Sequence, residues 1–294
     1  MIKIGYLISY DYNLLQTSLN TVYDYADKIF IAIDIERKTW SGNTFEIPNS
    51  FFEDLKKIDV NNKIVIYFEN FFIPELAPIE CETRERNMLL KKMGKGWKIQ
   101  LDVDEYIYDF KVLKNYLDKY WYFNIFSKLT PIQFVGKLIT LFKEVEDGFL
   151  YIDNEEKFLF ITNYNKYTIT RLNSNLISHY CNIITIHQSW AREESEIEVK
   201  IKNWGHKNDF DTMKYLSLWK NVNSQLYKEY INFHPVKPVV WNKLLFLPCK
   251  DINDFIDIFS KKFPQNPIPV IFFKYYELFL IKKMRKVYHY FKQK

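Results

Sequence analysis

Short apolar runs and helix-spaced apolar positions take turns along the first hundred residues of this chain. The run KIGYLIS at 3–9 predicts a buried strand. Leu15, Leu19, Val22 and Ala26 then recur at helical spacing, which predicts a helix over 12–26. KIFIAID at 28–34 reads as a second strand ending in Asp34, FFEDLKKID as a helix and KIVIYFEN at 63–70 as a third strand. The polar segment ETRERNMLLKKMGKG reads as a helix that Gly94 and Gly96 can end. In GWKIQLDVDEYIYDF, at 96–110, Trp97, Ile99 and Leu101 alternate with Lys98 and Gln100, the period of a strand with one buried face. That strand runs into Asp102, Asp104 and Glu105.

Strands separated by helices predict βαβ units, hence an α/β fold with a mostly parallel central sheet flanked by helices. Ligands of such sheets sit beyond the carboxyl ends of the strands, the edge where Asp34 and Asp102 fall. Residues 111–145 read as helical. From 148 onward short strands alternate around a polar turn, DNEE at 153–156, which suggests a hairpin. Residues 193–230 return to helix, and the part after HPVKP reads as loops and a final helix. Without repeats or a linker, the simplest division is a domain over 1–235 and a C-terminal helical appendage over 236–294.

Composition adds limits. The 294 residues, 48% apolar and 26% charged, suit a globular protein with a substantial core. A net charge of +5 does not imply nucleic acid, and no nucleic-acid motif is present. Cys81, Cys181 and Cys249 form no CxxC pair, which argues for free thiols in a reducing compartment. The apolar run at the start is short and broken by Tyr10 and Asp11, unlike a cleavable signal, and no run is long enough to span a membrane. The expectation is a cytoplasmic protein, at the inner face of a membrane if it touches one.

The acidic cluster carries the chemistry. On an extended backbone Asp102 and Asp104 project to the same side, so two negative charges aim at one point. That arrangement is costly unless water or a cation receives them. An oxygen-rich pair suits Mg²⁺ or Mn²⁺, which take one or two carboxylates together with substrate phosphates.

With Arg86-Asn87 sixteen positions upstream on a helix and LDVDE closing the strand, the sequence resembles family 2-type glycosyltransferases of the nucleotide-sugar-binding GT-A fold. The likeness covers residues 1–110 well and continues more weakly through HQSWAREESEIEVKIKNWGHKNDFD. It implies an inverting, metal-dependent transfer from a nucleoside diphosphate sugar, UDP-linked in most such enzymes, to a glycan or lipid-linked acceptor of a cell surface. Under it, Asp104 binds the metal, and Asp102 binds the ribose or coordinates through water. Arg86 and Asn87 serve the nucleotide, and Arg192 pairs with the diphosphate. Asp34 sits where such enzymes place a carboxylate against base or ribose, although a turn aspartate is an equal reading. His187 or His206 completes the metal or diphosphate site, with His187 preferred because it ends a strand. Glu193 and Glu194 stand where the general base is expected, while the run EESEIE also suits the first turns of a helix.

The final segment carries an apolar stripe, Tyr276, Leu280, Met284, Val287 and Phe291, among many lysines. It reads either as an amphipathic helix packed on its own domain or a second subunit, or as a helix lying on an anionic membrane. Two rival functions stand beside the transferase. One is a sugar nucleotidyltransferase, which the absence of a glycine-rich loop after the first strand opposes. The other is a non-catalytic interaction protein with a degenerate site.

Overall fold

A computed structural model of the chain describes residues 1–153, 156–203 and 210–292. The first half follows the alternation present in the sequence: β1 (Ile2–Ile8), α1 (Leu15–Val22), β2 (Lys28–Asp34), α2 (Asn49–Ile58), β3 (Ile64–Glu69), α3 (Pro78–Met93) and β4 (Trp97–Asp102). A two-residue β5 (Glu105–Tyr106) precedes α4 (Phe110–Lys119) and α5 (Trp121–Ile125). Then follow β6 (Ile132–Val145), β7 (Gly148–Ile152), β8 (Lys157–Thr162) and β9 (Ile177–His187). The chain continues through α6 (Glu194–Asn203), α7 (Thr212–Asn221), β10 (Leu245–Pro248), α8 (Ile252–Lys262) and α9 (Phe272–Lys292).

β3, β2, β1 and β4 are parallel neighbours in that order. Antiparallel β8, β6, β7 and β10 continue the sheet, and β9 runs parallel to β6 on its other side. The parallel strands are covered by helices, which is why they read as near-continuous apolar runs. Helix α3 illustrates the local logic. Pro78 opens it, the Glu80 carboxylate accepts from the Ala77 N–H at 2.9 Å, and Gly94, at φ +70°, closes it. One face of α3 carries Leu89 and Met93 onto β1 and β2, where they are fully buried.

Four expectations change. β4 is buried on both faces, because Lys98 and Gln100 are also covered. Lys98 Nζ donates to Asn165 Oδ1 at 2.8 Å, and Gln100 Nε2 donates to Arg86 O at 2.8 Å, while Gln100 Oε1 is buried without a hydrogen-bond partner among the described residues. The helix expected over 111–145 stops at Ile125, and β6 takes the rest. The run IQFVGKLITLF is rich in β-branched and aromatic residues, and pairing with three strands overrides any helical spacing. β7 and β8 pair with β6 along successive stretches, so β7 forms its hairpin with β6 and not with β8. Asn154 and Glu155 of the DNEE turn lie outside the described residues. Finally, residues 245–262, placed with the appendage by sequence, supply β10 to the sheet edge and α8 to its core, where Phe255 and Phe259 pack on Phe149 and Tyr151.

The β6–β7 turn abuts β10 closely. Gly148 has φ +149°, and a Cβ there would lie 2.2 Å from Leu247 O. Gly148→Ala is therefore expected to destabilise the fold by about 2–4 kcal/mol through strain and displaced backbone. Urea unfolding checks this, and a change below about 0.5 kcal/mol would contradict the packing described.

Candidate functional site

The carboxyl ends of β1, β2 and β4 open onto a cavity of about 700 Å³, within the range of small-molecule sites. Register sets its floor: Leu7 of β1 lies beside Asp102 of β4, and Ile8 beside Ile33 of β2. After Asp102 the chain leaves the parallel sheet through Val103 and Asp104, and β5 pairs antiparallel with the end of β9. That ladder sets Glu105 opposite His187, and the Gln188 N–H donates to Asp104 O at 2.8 Å. On the other side Ser18 of α1 donates to Glu105 O at 2.7 Å. The acidic motif is thus clamped between α1 and β9, and His187 is delivered to it by strand pairing.

The two aspartates meet cations supplied by the protein itself. Asp102, the more exposed of the pair, accepts from Arg86 Nη2 at 2.8 Å and lies 3.6 Å from Arg171 Nη2. Asp104 is almost fully buried, and its Oδ2 faces Arg192 Nη2, His187 Nε2 at 3.4 Å and Lys200 Nζ at 3.8 Å. Burial would raise both carboxyls. Arg86 and Arg171 instead hold Asp102 below its ordinary range, and His187, Arg192 and Lys200 hold Asp104 well below it. His187 is lowered by burial, but the Asp104 carboxylate outweighs that and raises it. Lys200 is pushed down to about 8 by burial and by the nearby Arg192. Asp11, 3.6 Å from Arg192, is raised by burial.

Several residues singled out by sequence converge here: Arg86, Asp102, Asp104, His187 and Arg192 all line the cavity. Asp34 lines it too, but its carboxylate is engaged by the loops. It accepts from the N–H groups of Glu36 (2.9 Å), Lys38 (3.1 Å), Phe71 (2.8 Å) and Phe72 (3.1 Å), so the turn reading is the one the contacts support. Asn87 is a correction. It holds the backbone of Tyr167, donating to its O at 3.2 Å and accepting from its N–H at 2.7 Å, and it is absent from the cavity wall. Successive helix residues point about 100° apart, and on α3 it is Glu85 and not Asn87 that shares the cavity wall with Arg86. Glu193 and Glu194 are also corrected: both are exposed and off the cavity wall, and Glu194 pairs with Lys220 at 2.6 Å in the first turn of α6. His206 lies outside the described residues.

Sequence reading missed Lys200, Arg171 and Asp11. Lys200 carried a signal, since it falls on the apolar stripe of α6 with Ile197 and Ile201, where a buried lysine needs a polar purpose. Its ammonium donates to Ser189 Oγ at 3.1 Å. Arg171 grips Glu105 through two bonds, at 2.6 and 2.7 Å, from a loop with no regular element to announce it.

Whether a divalent ion suits this site can be judged from its donors. Among the described residues no three His, Cys, Asp or Glu side chains form a closed metal-binding group. Mg²⁺ and Mn²⁺ do not require one, because substrate phosphates and water complete their shells. The two carboxylates at the cavity edge, with Asp102 partly open, fit that pattern.

No protein-family model matches the sequence, and no curated protein matches it. Among solved structures it is similar to S. aureus TarS 1–349, at 12% identity and TM-score 0.31, over 50% of this chain and 36% of that one. It is also similar to the mannosyltransferase PcManGT from Pyrobaculum calidifontis, in complex with GDP-Man and Mn²⁺, at 8% identity and TM-score 0.39. That match covers 81% of this chain and 67% of the other. The chain therefore spans little more than a third of the length of the TarS chain it matches.

Asp34→Asn would turn an amide N–H₂ toward backbone donors that now meet a carboxylate oxygen. It is expected to lower stability by about 2–3 kcal/mol. Denaturant melting checks this, and an unchanged midpoint would return Asp34 to the set of ligand-binding groups.

Proposed function

We propose that this chain is a GT-A-type glycosyltransferase that moves a sugar from a nucleoside diphosphate sugar, UDP-linked by preference, to a glycan or lipid-linked acceptor at a cell surface. The observation that carries the reading is the Asp102–Asp104 edge: two carboxylates and the cations Arg192 and Lys200, gathered at the carboxyl end of a parallel sheet. A site for a single charged metabolite would need one sign of charge. A metal diphosphate needs both.

Asp104, with Asp102 acting through water, would hold a Mg²⁺ or Mn²⁺ ion, which would supply a Lewis acid for the diphosphate leaving group. The chain's own groups do the rest. Arg192, fixed between Asp104 and Asp11 with its Nε donating to Gln188 O at 3.3 Å, offers a planar fork to a diphosphate oxygen. Lys200 approaches the same point from α6. Tyr10 and Trp40 stand by the ends of β1 and β2, where a base and ribose have flat surfaces to lie against, and Asp102 is at hand for a ribose hydroxyl. On the far wall Val236, Lys237 and Trp241 leave room for an acceptor.

In the transfer, the acceptor hydroxyl oxygen bonds to the anomeric carbon as the bond from that carbon to the diphosphate oxygen breaks. The electron pair leaves with the diphosphate, and the hydroxyl proton passes to a base. A single displacement of this kind inverts the anomeric centre, as the family resemblance implies. The free cysteines suit a reducing compartment, and the cytoplasmic face of a membrane is where this reading sets the reaction.

Incubating the protein with UDP- and GDP-sugars in Mn²⁺ and following nucleotide release tests the reading. Turnover with one donor is expected, and Asp104→Asn should lower it roughly 100-fold or more by removing transition-state charge stabilisation. Release with no donor from folded protein would favour the non-catalytic interaction protein.

A further inference from the structure

Helix α9 is built the wrong way round for a helix packed on a soluble domain. Its inner face is anchored: Tyr275 is buried with its hydroxyl donating to Pro131 O at 3.0 Å, and Lys282 Nζ donates to Leu176 O at 2.6 Å. The opposite face should be polar. Instead Phe273, Tyr276, Leu280 and Met284 fall along one stripe that points to solvent, with Phe273 85% and Met284 71% exposed. Val287 and Phe291, which continue the stripe in the sequence, lie beyond the described side chains.

The stripe does not stand alone. Phe272 makes ring contacts with Phe273 and Tyr276 on α9 and with Tyr122 on α5, and Tyr122 touches Trp121, itself 59% exposed. Ring contacts therefore link the exposed Trp121 on α5 to the apolar stripe of α9.

Charge selects the occupant. The segment from 272 to 294 carries seven Lys and Arg and a single acidic residue, Glu277. Lys274 and Lys283 flank the stripe and are exposed. A second copy docking through this face would set the same basic helix against itself, since a two-fold interface joins like to like. An anionic bilayer offers the complement to both features at once: acyl chains for Trp121, Phe273 and Met284, and headgroup phosphates for the lysines. Among the described residues no helix is long and apolar enough to cross a membrane, so contact would be with the surface.

We infer that α9 and α5 form one face that seats this protein on an anionic lipid bilayer. The inference deepens the lipid-linked acceptor of the proposed function, yet it rests on the surface alone. Its failure would leave the donor site untouched.

The full chain should co-float with vesicles of phosphatidylcholine and phosphatidylglycerol at 7:3 and much less with pure phosphatidylcholine. Binding should fall in 0.5 M NaCl. Phe273→Ser with Met284→Ser, at positions too exposed to matter for folding, should weaken binding by roughly tenfold or more. No flotation with the anionic vesicles, or flotation unchanged by the double substitution, would overturn the inference. So would a wild-type dimer in light scattering that the double substitution turns into monomer, because the face would then belong to a second copy.

Discussion

Two residues of backbone pairing hold the site together. Glu105 and Tyr106 of β5 leave the parallel half of the sheet and pair with Ile186 and His187 at the end of β9. Without that ladder, Asp104 would be an acidic residue on a turn. With it, His187 and the Gln188–Arg192 loop converge on one carboxylate oxygen, and α6 follows at a distance that brings Lys200 in. The polar side chains of the loop are used to set it. Gln188 accepts from Tyr106 at 2.6 Å and donates to Ala191 O at 3.0 Å, which turns the chain so that Arg192 points inward.

The second constraint is charge. A buried carboxylate is expensive unless opposite charge is close, and here each aspartate has its own set: Arg86 and Arg171 for Asp102, Arg192, His187 and Lys200 for Asp104. Each carboxylate is thus matched by cations of the chain itself. Arg86 Nη1 is buried with no hydrogen-bond partner among the described residues, a cost the site bears at the Asp102 edge.

The parallel half of the sheet was legible because strands buried on both faces read as apolar runs between helical spacings, and Asp102 and Asp104 were legible because they interrupt such a run. β6 was not, since Ile132–Val145 makes sense as a strand only beside β7, β8 and β9, which come later in the chain. Asn87 misled because its side chain is taken up by the backbone of Tyr167, which lies 80 residues later in the chain. Glu193 and Glu194 misled because acidic residues gather at helix starts for their own electrostatic reason. Arg171 lay beyond reach: its role depends on a loop that Asn87 and Thr83 tie to α3, with Thr83 Oγ1 accepting from the Thr170 N–H at 2.8 Å. The lesson concerns Lys200 most. Its place on the apolar stripe of α6 marks it as buried, and its polar partners, Ser189 and Asp104, come from other elements.

If the proposed function holds, the Asp102–Asp104 edge receives a nucleoside diphosphate together with a divalent ion. Calorimetric titration of UDP and GDP into the folded protein, first with Mn²⁺ and then with EDTA, tests it most directly. The account predicts saturable binding of one nucleotide that EDTA abolishes. Binding of neither nucleotide in the presence of Mn²⁺ would contradict it.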